Sequence, residues 1–154
     1  MNSPTKAWTD ADLVDPHAAA DKAQRVEAMF AAIADSYDLN NRLHSLGRDQ
    51  AWRRAAVKCA QVRSTDVVLD VACGTGDLAM AFAHAGAVRV LGVDFTCNML
   101  RVAQHKRPNE ATTLSYHAGD AMRLPVRDAS VDVVSIAFGI RNVTDPAAAM
   151  REFH

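Results

Sequence analysis

The sequence predicts an α/β fold: a parallel β-sheet with helices on both faces, in the Rossmann-like arrangement. Three observations predict it. From Val67 onward, short β-branched runs alternate with helix-like stretches, the signature of βαβ units. A glycine pair, Gly74 and Gly76, closes the first of those runs. Acidic residues then recur just after the later runs, at Asp94 and Asp120. With 154 residues, 49% of them apolar, the chain has the size of one ordinary domain with a real core.

Residues 1–21 mix charges with prolines and bury too little to offset their chain entropy, so a flexible leader is expected there. No basic region precedes an apolar stretch, which excludes a secretory signal. Residues 22–63 read as an N-terminal helical lid segment. Val26, Met29, Phe30, Ile33 and Tyr37 form one amphipathic stripe, predicting a helix over Lys22–Asp38. A polar break follows at Asp38–Asn41, then a second helix over Asp49–Cys59. Residues 64–154 read as the N-terminal part of the Rossmann-like domain. Its expected strands are Val67–Val71, Val88–Val93, Leu114–His117 and Val131–Phe138, with helices over Leu78–Ala85 and Cys97–Lys106. Asp145-Pro146 should open a last helix, Asp as N-cap and Pro at the first helical position. The chain stops at His154, which would leave the fourth strand at the sheet edge, so the sequence looks like the front of a larger, C-terminally incomplete domain.

Charge narrows the function classes. Seventeen Lys+Arg against eighteen Asp+Glu leave no net positive field for nucleic acid or for an anionic membrane surface. The apolar run at Val133–Ile140 is far shorter than the roughly 20 residues a spanning helix needs. Cys59, Cys73 and Cys97 lie far apart with no CxxC, so neither a disulfide framework nor a metal site is expected, and a cytoplasmic setting follows. All three read as buried fillers.

The chemistry centres on Asp70-Val71-Ala72-Cys73-Gly74-Thr75-Gly76-Asp77. Its glycines let the backbone turn and approach a ligand closely, and the next helix offers unpaired N–H groups. The glycines by themselves fit a nicotinamide enzyme, a methyltransferase or a tight structural turn. Asp94, eighteen residues after Gly76, can accept both hydroxyls of a ribose, which still suits either cofactor. Asp70 narrows the choice: an anion there opposes a pyrophosphate but suits an ammonium and a sulfonium. Asp120-Ala121, after the third strand, can accept from an adenine amino group. Together Asp70, the glycine pair, Asp94 and Asp120-Ala121 point to S-adenosylmethionine.

LDVACGTGD, GVDFTCNML, GDAMRLPVRDASVDVV and above all FGIRNVTD resemble the ubiquinone/menaquinone biosynthesis C-methyltransferases. The opening SYDLNNRLHSLG-x-x-x-x-W-R block resembles the same family, so the likeness runs from about Val26 to the last residue. The resemblance implies a class I S-adenosylmethionine-dependent methyltransferase fold. It also implies methyl transfer to a ring carbon of a polyprenylated hydroquinone, either demethylmenaquinol or a benzoquinol. By resemblance, Thr75, Asp94, Asp120 and Ala121 are cofactor contacts. Some relatives carry Ser directly before the Phe of FGIRN; here Ala137 stands there, with Ser135 two residues earlier on the same face.

A hydroquinone carbon becomes nucleophilic when the adjacent oxygen gives up its proton, and it must then be held in line with the methyl–sulfur bond. Arg141 is expected to stabilise the developing phenolate and Asn142 to orient it. Tyr37 and Asp38 are expected to complete a lid. Arg141 could instead neutralise a nearby Asp, and Tyr37 could continue the core stripe. His44 and His117 are candidate bases with structural roles as the alternative. A lipid-tailed substrate implies a visit to the membrane surface, but no amphipathic basic helix marks where; the helix over Lys22–Asp38 is the only candidate, and core packing is the favoured role for it. The competing functions are a methyltransferase for another small molecule, and a catalytically silent fragment that binds cofactor or self-associates through its open sheet edge.

Overall fold

The computed structural model describes residues 21–108 and 113–154; the expected leader lies outside these residues, Asp21 apart. The chain opens with α1 (Lys22–Ile33), a 3₁₀ turn (Ala34–Ser36), α2 (Tyr37–His44) and α3 (Arg48–Ala60). Then β1 (Val67–Val71), α4 (Asp77–His84), β2 (Arg89–Asp94), α5 (Cys97–Lys106) and β3 (Leu114–Ala118) alternate. They are followed by β4 (Val133–Ile136), a 3₁₀ turn (Phe138–Asn142) and α6 (Pro146–Phe153). Among the described residues the sheet has four strands in the order β3-β2-β1-β4, all parallel.

Side-chain alternation along the strands separates two apolar layers. Val68, Val90 and Leu114 face Leu78, Ala79 and Phe82 of α4, with Val57 and Ala60 of α3 packed alongside. Leu69, Val71 and Val93 face the opposite way, onto Leu124 and Phe153 of α6. Helices therefore cover both faces, as a parallel sheet requires. The expected cap of α6 forms: Asp145 Oδ1 accepts from the Ala148 N–H at 2.9 Å, and Pro146 takes the first position.

Three expectations about the elements need correction. The helix over Lys22–Asp38 is two helices, because the chain tightens at Ala34–Ser36, where the Ser36 hydroxyl donates to the Ile33 carbonyl at 3.2 Å. The polar break at Asp38–Asn41 lies inside α2. This polar stretch stays helical because Asp38 is held from outside by Thr75 and Lys106. The fourth strand is shorter than Val131–Phe138. At its start Asp132 still donates its N–H to the Val67 carbonyl at 2.9 Å, but its carboxylate takes the Val67 N–H at 2.8 Å in place of a strand carbonyl, and at its end the chain winds into a 3₁₀ turn from Phe138. The apolar stripe of α1 is also not a conventional core face. Met29 is exposed and the buried members of α1 are Lys22 and Arg25. Lys22 Nζ donates to the Val143 carbonyl at 2.8 Å, tying α1 to the loop after the second 3₁₀ turn. Cys59 and Cys97 are exposed rather than buried fillers. No helix among the described residues is long and apolar enough to cross a membrane.

Candidate functional site

A parallel sheet gathers the carboxyl ends of its strands along one edge. The connections from β1 run one way to β2 and β3, while β4 lies on the other side of β1. Ligands of open α/β sheets bind in the crevice at such a reversal. There the protein has a cavity of ≈ 710 Å³, lined by residues from every strand end and from the N-terminal helices. The volume is that of a small-molecule site.

The glycine motif forms the cavity floor. Ala72 takes a left-handed φ of 50° and Gly74 one of 56°, a conformation an alanine adopts only when its surroundings compel it. The loop is pinned from β2: the Cys73 N–H donates to the Val93 carbonyl at 3.0 Å and the Gly74 N–H to Asp94 Oδ2 at 2.7 Å. Asp94 Oδ1 accepts from the Thr96 N–H at 2.8 Å. Asp94 therefore holds the motif and the start of α5 together while its carboxylate keeps lone pairs toward the cavity. Burial raises its carboxyl above the ordinary range, with these backbone donors working against the rise.

Asp70 is the most unusual group at the site. It is buried in the middle of the sheet; Oδ1 accepts from the Ser135 hydroxyl at 2.7 Å, and Oδ2 has no hydrogen-bond partner among the described residues. Burial pushes its carboxyl up to about 7, partly offset by the Ser135 hydroxyl and, more weakly, by the Ala79 N–H. An unpartnered carboxylate oxygen under a cavity is a natural counter-group for a cation. Ser135 is thereby spoken for, so it does not substitute for the serine absent at Ala137, whose own position lines the cavity. Cys73 lines the cavity too, but burial raises its thiol far above the range of a reactive cysteine.

Of the other sequence-predicted residues, Tyr37, Thr75, Asp120, Ala121, Arg141 and Asn142 all come to the cavity wall. Asp120 also serves its turn, Oδ1 accepting from the Met122 N–H at 2.9 Å. Arg141 is exposed and forms no ion pair among the described residues. Its turn is seated by a close approach: a Cβ on Gly139 would fall 2.4 Å from the Ala72 Cβ. Gly76 stands apart from the wall. It is glycine because φ is 82° and because a Cβ would meet the Tyr116 hydroxyl at 2.2 Å. His44 reaches the cavity, its Nδ1 2.7 Å from the Asn40 carbonyl, whereas His117 lies away from it, exposed and 3.0 Å from the Ser115 hydroxyl.

Sequence reasoning missed a chain of charges beside the motif. Thr75 donates its hydroxyl to Asp38 Oδ1 at 2.5 Å. Lys106 of α5 bridges Asp38 of α2 and Asp77 of α4, and Arg53 of α3 joins Asp77 to Asp49. Four helices are thus linked at the cavity rim. Lys106 lies 68 positions from Asp38 and has no sequence signal.

A profile of the ubiE/COQ5 methyltransferase family matches residues 18–154. The chain belongs to that family. It is 47% identical over 133 residues to a demethylmenaquinone methyltransferase of Deinococcus radiodurans, covering 86% of this chain and 55% of the relative. It is 39% identical over 142 residues to a ubiquinone/menaquinone biosynthesis C-methyltransferase of Citrifermentans bemidjiense, covering 90% and 60%. A crystal structure of a SAM-dependent methyltransferase from Aquifex aeolicus superposes with a TM-score of 0.60 at 19% identity, covering 66% of this chain and 55% of that one, which supports the class I fold. The family member spans a little more than half the length of these curated relatives.

Proposed function

We propose that this chain binds S-adenosylmethionine and carries out methyl transfer to a ring carbon of a polyprenylated hydroquinone, of the demethylmenaquinol or ubiquinone-pathway class. The observation that carries the reading is the buried Asp70 with an unpartnered oxygen beneath a cavity walled by Gly74, Thr75, Asp94 and Asp120-Ala121. That donor set fits the cofactor: anionic oxygens for its ammonium and sulfonium and for its ribose hydroxyls, and an acceptor for its adenine amino group. When bound, S-adenosylmethionine supplies the methyl group to be displaced from sulfur.

The chain's own residues would do the rest. Asp94 would hold the ribose while keeping the glycine loop fixed. Arg141, which forms no ion pair among the described residues, would lower the energy of negative charge developing on the quinol oxygen, and Asn142 would orient that oxygen. Tyr37, whose ring meets that of Phe30 at 5.9 Å, would close over the cofactor from α2 and help exclude water. Arg141 and Asn142 would together hold the quinol oxygen at the cavity wall while it carries the negative charge that makes the neighbouring ring carbon nucleophilic.

Calorimetric titration with S-adenosylmethionine, with NADH as control, tests the cofactor. Saturable binding of the first alone supports the reading, and binding of NADH overturns it. Radiolabelled methyl transfer to demethylmenaquinol, against unrelated phenols, then tests the acceptor. Transfer to the unrelated phenols at equal rate would assign another substrate.

A further inference from the structure

We propose that the turn between α2 and α3 docks the protein on an anionic lipid surface, with Leu39, Leu43 and Leu46 entering the apolar layer and Arg42 and Arg48 meeting the headgroups. This rests on the quinol reading and deepens it, by giving a lipid-tailed acceptor a route to the crevice.

Helix α2 has two faces. Tyr37, Asn41 and His44 line the cavity. At 100° per residue, Leu39 and Leu43 fall on the opposite side. Both are 62% exposed, and Leu46 just beyond is 89% exposed. A single exposed leucine needs no explanation, but three at spacings of four and three form a stripe facing water. Leu46 adds an independent sign. Its φ is 52°, in the left-handed region that a leucine rarely occupies, and Gly47 follows at 76°. Glycine at both positions would make the same turn without strain, so the fold holds a leucine at the tip against its backbone preference.

The charges match an anionic surface. Arg42 and Arg48 flank the tip, exposed and without ion pairs among the described residues. The acidic residues of these two helices are Asp38 and Asp49, and both are engaged internally, with Thr75 and Lys106 and with Arg53 and Ser45. What these helices turn outward is therefore apolar and basic, the composition of an interfacial segment. At the crevice, the half-exposed rings of Trp52 and Phe138 meet edge-on at 5.8 Å, an aromatic pair of the kind that sits where lipid meets water.

Co-sedimentation of the purified chain with phosphatidylcholine vesicles, with and without phosphatidylglycerol, tests this. Sedimentation is expected with the anionic vesicles and should weaken as salt rises. Leu46→Gly relieves the left-handed strain, so the fold stays at least as stable while partitioning drops about tenfold. Reversing both charges, Arg42→Glu with Arg48→Glu, should cost more than tenfold, since each arginine near such a surface is worth roughly a factor of five. No sedimentation with anionic vesicles overturns the proposal, as does sedimentation that these variants leave unchanged. Gel filtration showing a dimer that Leu46→Gly dissociates would assign the face to a second copy instead. Calorimetry on the same variants separates the two readings: S-adenosylmethionine binding should be untouched when docking is lost. A parent chain that fails to bind the cofactor would overturn the methyltransferase reading, whatever the vesicles show.

Discussion

Replacing Asp70 by Asn should raise stability and lower ligand affinity together, with the stability gain growing as pH rises. The Asp70 carboxyl stands at about 7 in the folded chain against an ordinary 3.8, chiefly because burial penalises its charge. Its folded value is the higher one, so its contribution is most favourable below the unfolded value and is lost as pH climbs toward 7. At about 1.36 kcal/mol per pH unit, the charged form costs the fold about 4 kcal/mol once pH exceeds 7. Between pH 5 and pH 8 the parent should lose about 3 kcal/mol through this group, and Asp70→Asn should lose none of it. An amide nitrogen in place of the unpartnered oxygen leaves a buried donor, so roughly 1–3 kcal/mol of the gain is returned at every pH. The pH-dependent part survives that correction. Urea unfolding of both proteins at pH 5 and pH 8 measures it, because every other titrating group is common to the pair and cancels. A stability difference that is the same at the two pH values would refute the assignment. If the carboxylate faces a ligand cation, S-adenosylmethionine should bind more weakly to Asp70→Asn. Its binding to the parent near pH 6 should release protons, seen as a buffer-dependent calorimetric enthalpy.

Asp94→Ala removes the acceptor for the Gly74 and Thr96 N–H groups as well as the expected ribose contact. It should weaken S-adenosylmethionine binding by roughly 1.5–3 kcal/mol in calorimetry, and unchanged affinity would remove Asp94 from the site. Gly76→Ala forces a Cβ against the Tyr116 ring at a positive φ, so it should lower the unfolding midpoint by roughly 1–3 kcal/mol equivalent. An unchanged midpoint would contradict the close contact. Arg141→Met should leave stability and cofactor affinity unchanged, since Arg141 is exposed and forms no ion pair among the described residues, while reducing the methyl-transfer rate about 10²-fold or more. A rate within twofold of the parent would exclude its electrostatic role.

The sequence by itself determined the framework of the Rossmann-like part. β1 and α5 fall where β-branched runs and helical periodicity put them, and Asp145-Pro146 caps α6 through bonds between residues three apart. These features are local, so a linear reading captures them. The cavity residues were legible for a related reason: in a parallel sheet every strand ends at the same edge, so Asp94 and Asp120 had to converge with the glycine motif. Only the tertiary structure decided what lies between distant positions. Ser135 faces Asp70 because β4 pairs beside β1 in one register, a pairing fixed by sheet order and not by either strand's own pattern. Likewise α2 is helical through a polar stretch because Asp38 meets Thr75 and Lys106, and Gly76 is needed because Tyr116 arrives from β3. The outward leucines of α2 belong to the same class. Leu39 lies in, and Leu43 just after, what reads as a polar break, and whether their side of the helix meets a core or water is settled by what else packs nearby, which no local pattern encodes.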